Sequence, residues 1–434
     1  MDRLFKTVLK KKQTQSCCSI KLKKNILQIP LICTVNQYIT IFVFVEAVIL
    51  GLAVYASDST LSTEIFRTIL RIFVYCLAAC TVFFTILRMK SIAISSILLV
   101  IVPISYQLLI FLHRYTVGEL RVLSIILLIV FLLLKPQEKK RVFEMYRYYI
   151  ILMACFGIFF YIINITGIPF PHRIVPYYWG NYTDYTDYGL TYIIRGGTLF
   201  ARVCGLFNEP GFFGTILAFM LCADEINLQK KENKILFIAG ITTFSLAFLL
   251  IIFIYIILLN YKNIKILPII MGVLALYIII LPNLNLDIEN GSSFLRIIGR
   301  LRFENGNLIG NNRLDLELEK QLEMMFRSGI DWLFGYGSGY CKEFGITAVS
   351  YKTYLLEHGI IGMLIVYGAP LISALFLSKG NRYAFFFIII FFVSAYQRPH
   401  IFTLPFFVVL FGGIEFICSN QRYNNKWKLL MKKG

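Results

Sequence analysis

Apolar runs of membrane-spanning length recur along the chain, separated by short polar segments that are often basic. The runs lie near residues 36–56, 69–87, 91–112, 119–134, 148–165, 209–223, 235–247, 248–261, 266–282, 353–377, 383–397 and 401–418. A hydrocarbon layer about 30 Å thick is crossed by about 20 apolar residues in a helix, and inside it every backbone N–H and C=O must be paired within the chain. The pattern therefore predicts an all-α polytopic integral membrane protein with about 12 transmembrane helices. One stretch allows two counts. Residues 235–261 form a single apolar stretch, long enough for one tilted helix. Lys230, Lys231 and Lys234 precede it, and Lys262 and Lys265 follow it. Both flanks thus favour the same membrane side. Two short helices turning back at Thr242-Thr243-Phe244-Ser245, the only polar patch inside, fit that charge pattern.

Charge placement orients the rest. Residues 1–30 carry eight basic residues, and the tail at 419–434 carries Arg422, Lys426, Lys428, Lys432 and Lys433. The positive-inside rule places both ends in the cytoplasm. The remainder, 31–418, reads as a single transmembrane domain with two long outer loops, at about 166–208 and 283–352. The polar, basic stretch before the first apolar run does not read as a secretory signal.

Composition agrees: 58% of residues are apolar, 15% are charged and the mean hydropathy is +0.72, against about 25% charged in a soluble domain. The formal net charge of +19 does not point to nucleic acid, because the basic residues bunch between spans, where they face anionic lipid. Their types differ by side. On the cytoplasmic side there are 21 Lys and 6 Arg, and at the outer face 3 Lys and 13 Arg. Arg grips phosphate through a planar fork, whereas Lys is a point charge. The outer face therefore suits a phosphorylated ligand, unless its Arg residues pair with loop acids such as Asp315, Glu317 and Glu319. Of the ten cysteines, only Cys204 and Cys341 fall outside, which leaves one disulfide option. No Cys/His spacing suits a metal, and no cofactor is expected.

The most specific local signal is Arg202-Val-Cys-Gly205-Leu-Phe207-Asn-Glu209-Pro210-Gly211. Glu209-Pro210 suits the first turn of a helix. Charges at a membrane-embedded helix mouth cost about 2.5–3.5 kcal/mol each at full depth, so Arg202 and Glu209 need a ligand or each other. The second outer loop holds Arg296, Arg300, Arg302 and Arg313, then Gly335-x-Gly337-x-Gly339. No strand of a dinucleotide fold precedes these glycines, so they read as a tight loop beside the membrane. Between them, 314–333 has the spacing of a helix lying on the outer surface. His358, beside Glu357 where the next apolar run begins, is placed to bind phosphate or shuttle a proton, or to be a satisfied interfacial residue. In the first loop Tyr177, Tyr178, Trp179, Tyr182, Tyr185, Tyr188 and Tyr192 crowd together. They suit either stacking on sugar rings or an interfacial aromatic belt.

These pieces together resemble the Wzy-type O-antigen polymerase and O-antigen ligase family of bacterial membrane glycosyltransferases. The resemblance is carried by Arg202-x-x-Gly205-x-Phe207-x-Glu209-Pro210, the paired short helices around Thr242–Ser245, the Arg-bearing outer loop, the three loop glycines, and Leu356-x-x-Gly359-Ile-Ile-Gly362. It departs from the family at Leu246, where an Arg often follows the Ser, and at Ala348-Val349, where a His-Asn pair is common among ligases. The second departure favours a polymerase. The resemblance implies a GT-C-like fold, an undecaprenyl-diphosphate-linked oligosaccharide as substrate, membrane lipid and a chain-length regulator as partners, and the bacterial cytoplasmic membrane as location. Under it, Arg202 and Arg313 would hold the departing diphosphate with Arg300 as helper. Glu209 would orient the acceptor hydroxyl, and Tyr351, His358, Tyr178, Trp179 and Tyr182 would contact substrate. A ligase acting on another acceptor, or a precursor transporter or flippase, is the alternative.

Overall fold

The computed structural model describes residues 28–52, 64–89, 92, 94–114, 122–175, 184–195, 201–262, 303–304, 307–308, 316–337, 339–346, 350–395 and 402–420. The run expected at 266–282, both basic ends, and Tyr178, Trp179, Tyr182, Arg300 and Arg313 lie outside the described residues. Helices occupy the positions of the other apolar runs. In chain order they are α1 Gln28–Gly51, α2 Glu64–Leu87, α3 Ile94–Leu99, α4 Ile101–Arg114, α5 Val122–Leu133, α6 Pro136–Thr166, α7 Pro210–Cys222, α8 Lys231–Thr242 and α9 Leu246–Asn260. Then come α10 Leu316–Arg327, α11 Asp331–Phe334, α12 Tyr340–Glu343, α13 Tyr351–Ser378, α14 Arg382–Ala395 and α15 Leu404–Asn420. Among these, the Thr68–Leu87 part of α2, α6 and α13 are long and apolar enough to cross a membrane. The other apolar helices are shorter.

Local chemistry explains where the helices depart from the apolar runs. α6 begins well before residue 148 because Pro136 fits a first turn and the Glu138 carboxylate accepts the Lys135 N–H at 2.9 Å. The run at 91–112 divides into α3 and α4 at Val100, where Pro103 supplies no N–H and its ring crowds the carbonyl of Leu99. The stretch at 235–261 is two helices, with the turn at Thr243–Ser245.

The all-α expectation needs one correction. Residues 173–205 hold a four-stranded antiparallel sheet, β1 Arg173–Val175, β2 Tyr185–Asp187, β3 Tyr192–Arg195 and β4 Ala201–Gly205, paired in that order. β1, β3 and β4 carry β-branched residues, Ile174 and Val175, Ile193 and Ile194, and Val203, but the strands are only three to five residues long. Such short periods are masked by the aromatic residues around them. A two-residue hairpin, β5 Phe303–Glu304 and β6 Asn307–Leu308, lies in the second loop. Cys204 and Cys341 are both free thiols, so the disulfide option is not taken.

The sheet does not simply cap the bundle. β4 lies along α6, where a Cβ on Gly157 would come within 2.8 Å of Val203. Gly157 is about 14 Å of helix from the end of α6 at Thr166. Strand backbone runs this far along the apolar helix because its polar groups are paired within the sheet and enclosed by protein. α7 is buried along almost its whole length and packs against α8, α9 and β4. Phe219 of α7 stacks toward Phe387 and Phe391 of α14. Away from the sheet, ion pairs tie the bundle together. Arg88 binds Glu138 at 2.7 Å and also reaches Asn36 and the Leu133 carbonyl. Asp224 binds Arg147 at 3.3 Å and Lys230 at 2.7 Å, with Asn233 between. Removing one partner from the buried Arg88–Glu138 pair costs about 3–5 kcal/mol.

Candidate functional site: a clamped half-helix turn and a glycine loop

α8 and α9 have 12 and 15 residues, about 18 and 22 Å of helix, each short of a full crossing. Thr243 closes α8, Phe244 takes a left-handed backbone with φ of 47°, and Ser245 caps α9 by accepting the Phe248 N–H at 3.3 Å. Such a turn leaves carbonyls at the end of α8 without helical donors, where the helix dipole is negative. Arg202, on β4, supplies them. Its Nε donates to the Thr243 carbonyl at 3.1 Å, and a terminal guanidinium nitrogen donates to the Phe244 carbonyl at 3.2 Å. Gly214, one turn into α7, makes room for the same turn, since a Cβ there would lie 2.6 Å from the Ser245 side chain. β4, α7 and the α8–α9 turn are thereby locked at one corner.

Glu209 stands at that corner as the N-cap residue of α7, half-buried like Arg202. Its backbone carbonyl accepts from Phe212 and Phe213, while its carboxylate makes no capping bond to α7. Burial pushes the Cys204 thiol well up, Arg202 draws it partly back and Glu209 adds to the rise. Both charges therefore act on the same buried thiol, which is inert packing. Arg202 thus turns its fork on two carbonyls of the turn.

The aromatic cluster divides. Tyr185 and Tyr192 are buried within the sheet, with Val175, Ile194 and Cys204. The Tyr185 hydroxyl donates to the Asn208 carbonyl, and Asp187 pairs with Arg173. Burial and the nearby Asp187 push the Tyr192 phenol up to about 12. Tyr188 stacks on Phe160 of α6. These three residues build the sheet and its seat on α6, with Tyr185 and Tyr192 buried in it.

Tyr351 and His358 belong to a second cluster, on α13. The helix breaks at Gly359, with φ of 61° and ψ of −168°. The carbonyls of Leu356 and Glu357 are taken by the N–H groups of Tyr336 and Gly337, both at 2.9 Å. The Glu357 carboxylate accepts the N–H of Gly339 at 2.9 Å and of Cys341 at 3.3 Å. Gly335, Gly337 and Gly339 all have positive φ, which winds the loop tightly against α13. At its far end the N–H groups of Gly339 and Cys341 form a small cradle filled by the chain's own Glu357 carboxylate. No nucleotide is needed to explain it. His358 is buried, with Nε2 4.0 Å from Glu357 and its ring near Tyr354, so it faces the protein interior. Tyr351 opens α13 and is half-buried. In the sequence Glu357 stands out only as the neighbour of His358 and Thr243 only as part of the polar patch at the turn, with no sign of what each would bind, and Gly214 gives no signal.

Among the described residues, no group of three His, Cys, Asp or Glu side chains is placed to hold a metal ion. No family model matches the chain, and neither curated proteins nor solved structures yield a match.

Proposed function

We propose that the chain is a membrane glycosyltransferase that polymerises oligosaccharide repeat units carried on undecaprenyl diphosphate. It would work at the outer face of a bacterial cytoplasmic membrane, with both chain ends inside and the loops at 166–208 and 283–352 outside. In the reaction, an acceptor hydroxyl attacks the anomeric carbon of the donor glycan. The bond to the diphosphate breaks, the lipid diphosphate leaves with the electron pair, and the hydroxyl proton is lost. The observation that carries the proposal is the corner where Arg202 grips the α8–α9 turn and Gly214, in the helix that Glu209 opens, packs against Ser245. Two of the pieces on which the resemblance rests thus lie side by side.

In this reading Arg202, whose fork grips the turn, fixes the corner, and Arg313, with Arg300 as helper, neutralises the leaving diphosphate. Glu209, at the N-cap of α7, orients the acceptor hydroxyl. A transporter is the second reading, favoured by the short paired helices and the break in α13, since broken helices also mark transport sites. Deleting the gene in the producing strain and sizing the surface glycan separates them. A polymerase loss leaves single repeats on the normal acceptor. A flippase loss leaves lipid-linked repeats on the cytoplasmic side, and unchanged glycan contradicts both.

A further inference from the structure

The second outer loop returns to the membrane through α10 to α12, and among the exposed charges of α10, Glu323 and Arg327, and beyond them, large apolar side chains also face outward. Ile330 is 63% exposed and Phe334 is 48% exposed. They stand four residues apart around the single turn of α11, and so on one face. The polar side of that turn is occupied, because Asp331 accepts the Ser328 hydroxyl at 2.8 Å. α10 is similarly two-sided. It buries Leu318, Leu322 and Met325 against the glycine loop and α13, and leaves Met324 and Phe326 outward.

The position of α11 along α13 identifies what covers this face. Glu357 and His358 end the polar start of α13, and residues 359–378 then run without a charge to Lys379. Those residues span about 30 Å of helix, the thickness of a hydrocarbon layer. Gly359 therefore marks the edge of that layer. α11 sits at this level. A Cβ on Gly359 would lie 2.3 Å from the Leu333 carbonyl, and one on Gly335 would lie 2.5 Å from the Glu357 backbone. Just beyond Gly359 the outward surface of α13 is itself apolar, with Ile360, Ile361 and the 64% exposed Leu364. The apolar face of α11 continues that surface at the point where hydrocarbon begins.

We infer that Ile330 and Phe334 seat in the bilayer surface beside α13, so that lipid, and not a protein partner, covers the distal end of the large loop. The inference rests on α13 crossing the membrane. Seating both side chains holds α10 and the glycine loop at headgroup height, where a lipid-linked substrate carries its diphosphate.

A photoreactive diazirine amino acid, placed singly at 330, 334 or 364, tests this in the full chain. The chain is reconstituted in vesicles of phosphatidylethanolamine and phosphatidylglycerol, and adducts are identified by mass spectrometry. Lipid adducts at 330 and 334, in yields within a few-fold of those at 364, are expected. Lipid adducts at 364 with none at 330 and 334, or crosslinks from 330 and 334 to a second copy, overturn the inference. Absence of lipid adducts at 364 refutes the crossing of α13 itself, and the mooring of α11 falls with it.

Discussion

The helical bundle is interrupted twice near its candidate chemistry, and the two interruptions are repaired in opposite ways. At Thr243–Ser245 the freed carbonyls receive a side-chain cation, Arg202, delivered by a strand. At Gly359 the freed carbonyls receive backbone N–H groups from a glycine loop, and that loop is held by a side-chain anion, Glu357. Each repair obeys the same demand, that polar backbone in an apolar setting finds a partner. The difference lies in tolerance. A guanidinium reaches its carbonyls through a flexible stem, whereas the glycine loop meets α13 backbone to backbone, with no room for a Cβ on either side. The first break is therefore adjustable, and the second is rigid.

Substitutions separate the two. The largest effect is expected for Gly359→Ala, which meets both a positive φ and the Leu333 carbonyl. Backbone strain and overpacking together cost about 3 kcal/mol or more. Folded, monodisperse protein after extraction should fall sharply, and a wild-type yield would remove the rigid interlock. Arg202→Lys comes next. A single ammonium cannot span two carbonyls as the fork does, and losing one charge-assisted bond costs about 1.5–3 kcal/mol. The unfolding midpoint in detergent should drop. A variant of unchanged stability with abolished activity would instead return Arg202 to phosphate binding. Glu357→Gln keeps an acceptor in the cradle and loses only charge assistance, an expected loss of about 1 kcal/mol by the same measurement. Ser245→Ala removes the cap of α9 through a long bond of 3.3 Å, for about 0.5–1 kcal/mol.

Much of this fold was legible because spans are long. Apolar length alone located most helices, and lysines on both flanks of 235–261 identified a turn whose polar patch the structure places at Thr243–Ser245. The sheet was not legible, since strands of three to five residues carry little periodicity, and Tyr185 and Tyr192 look alike whether they stack on a sugar or fill a strand interior. The candidate site was half legible. The motif from Arg202 to Glu209 named the corner. Only coordinates could show that the Arg202 fork is directed at the Thr243 and Phe244 carbonyls, because those residues lie some forty positions away in sequence. The glycine loop is tight, as its spacing suggested, but its anchor at Glu357 depends on a helix break that no spacing rule predicts.

The proposed activity is tested most directly at Glu209, the N-cap residue of α7 at the clamped corner. Glu209→Gln is isosteric and is introduced into a gene-deleted producing strain, with its membrane level matched to wild type by immunoblot. The surface glycan, separated by size, should collapse from long chains to single repeats. A full-length chain distribution from this variant would contradict the assignment of the corner as the site of polymerisation.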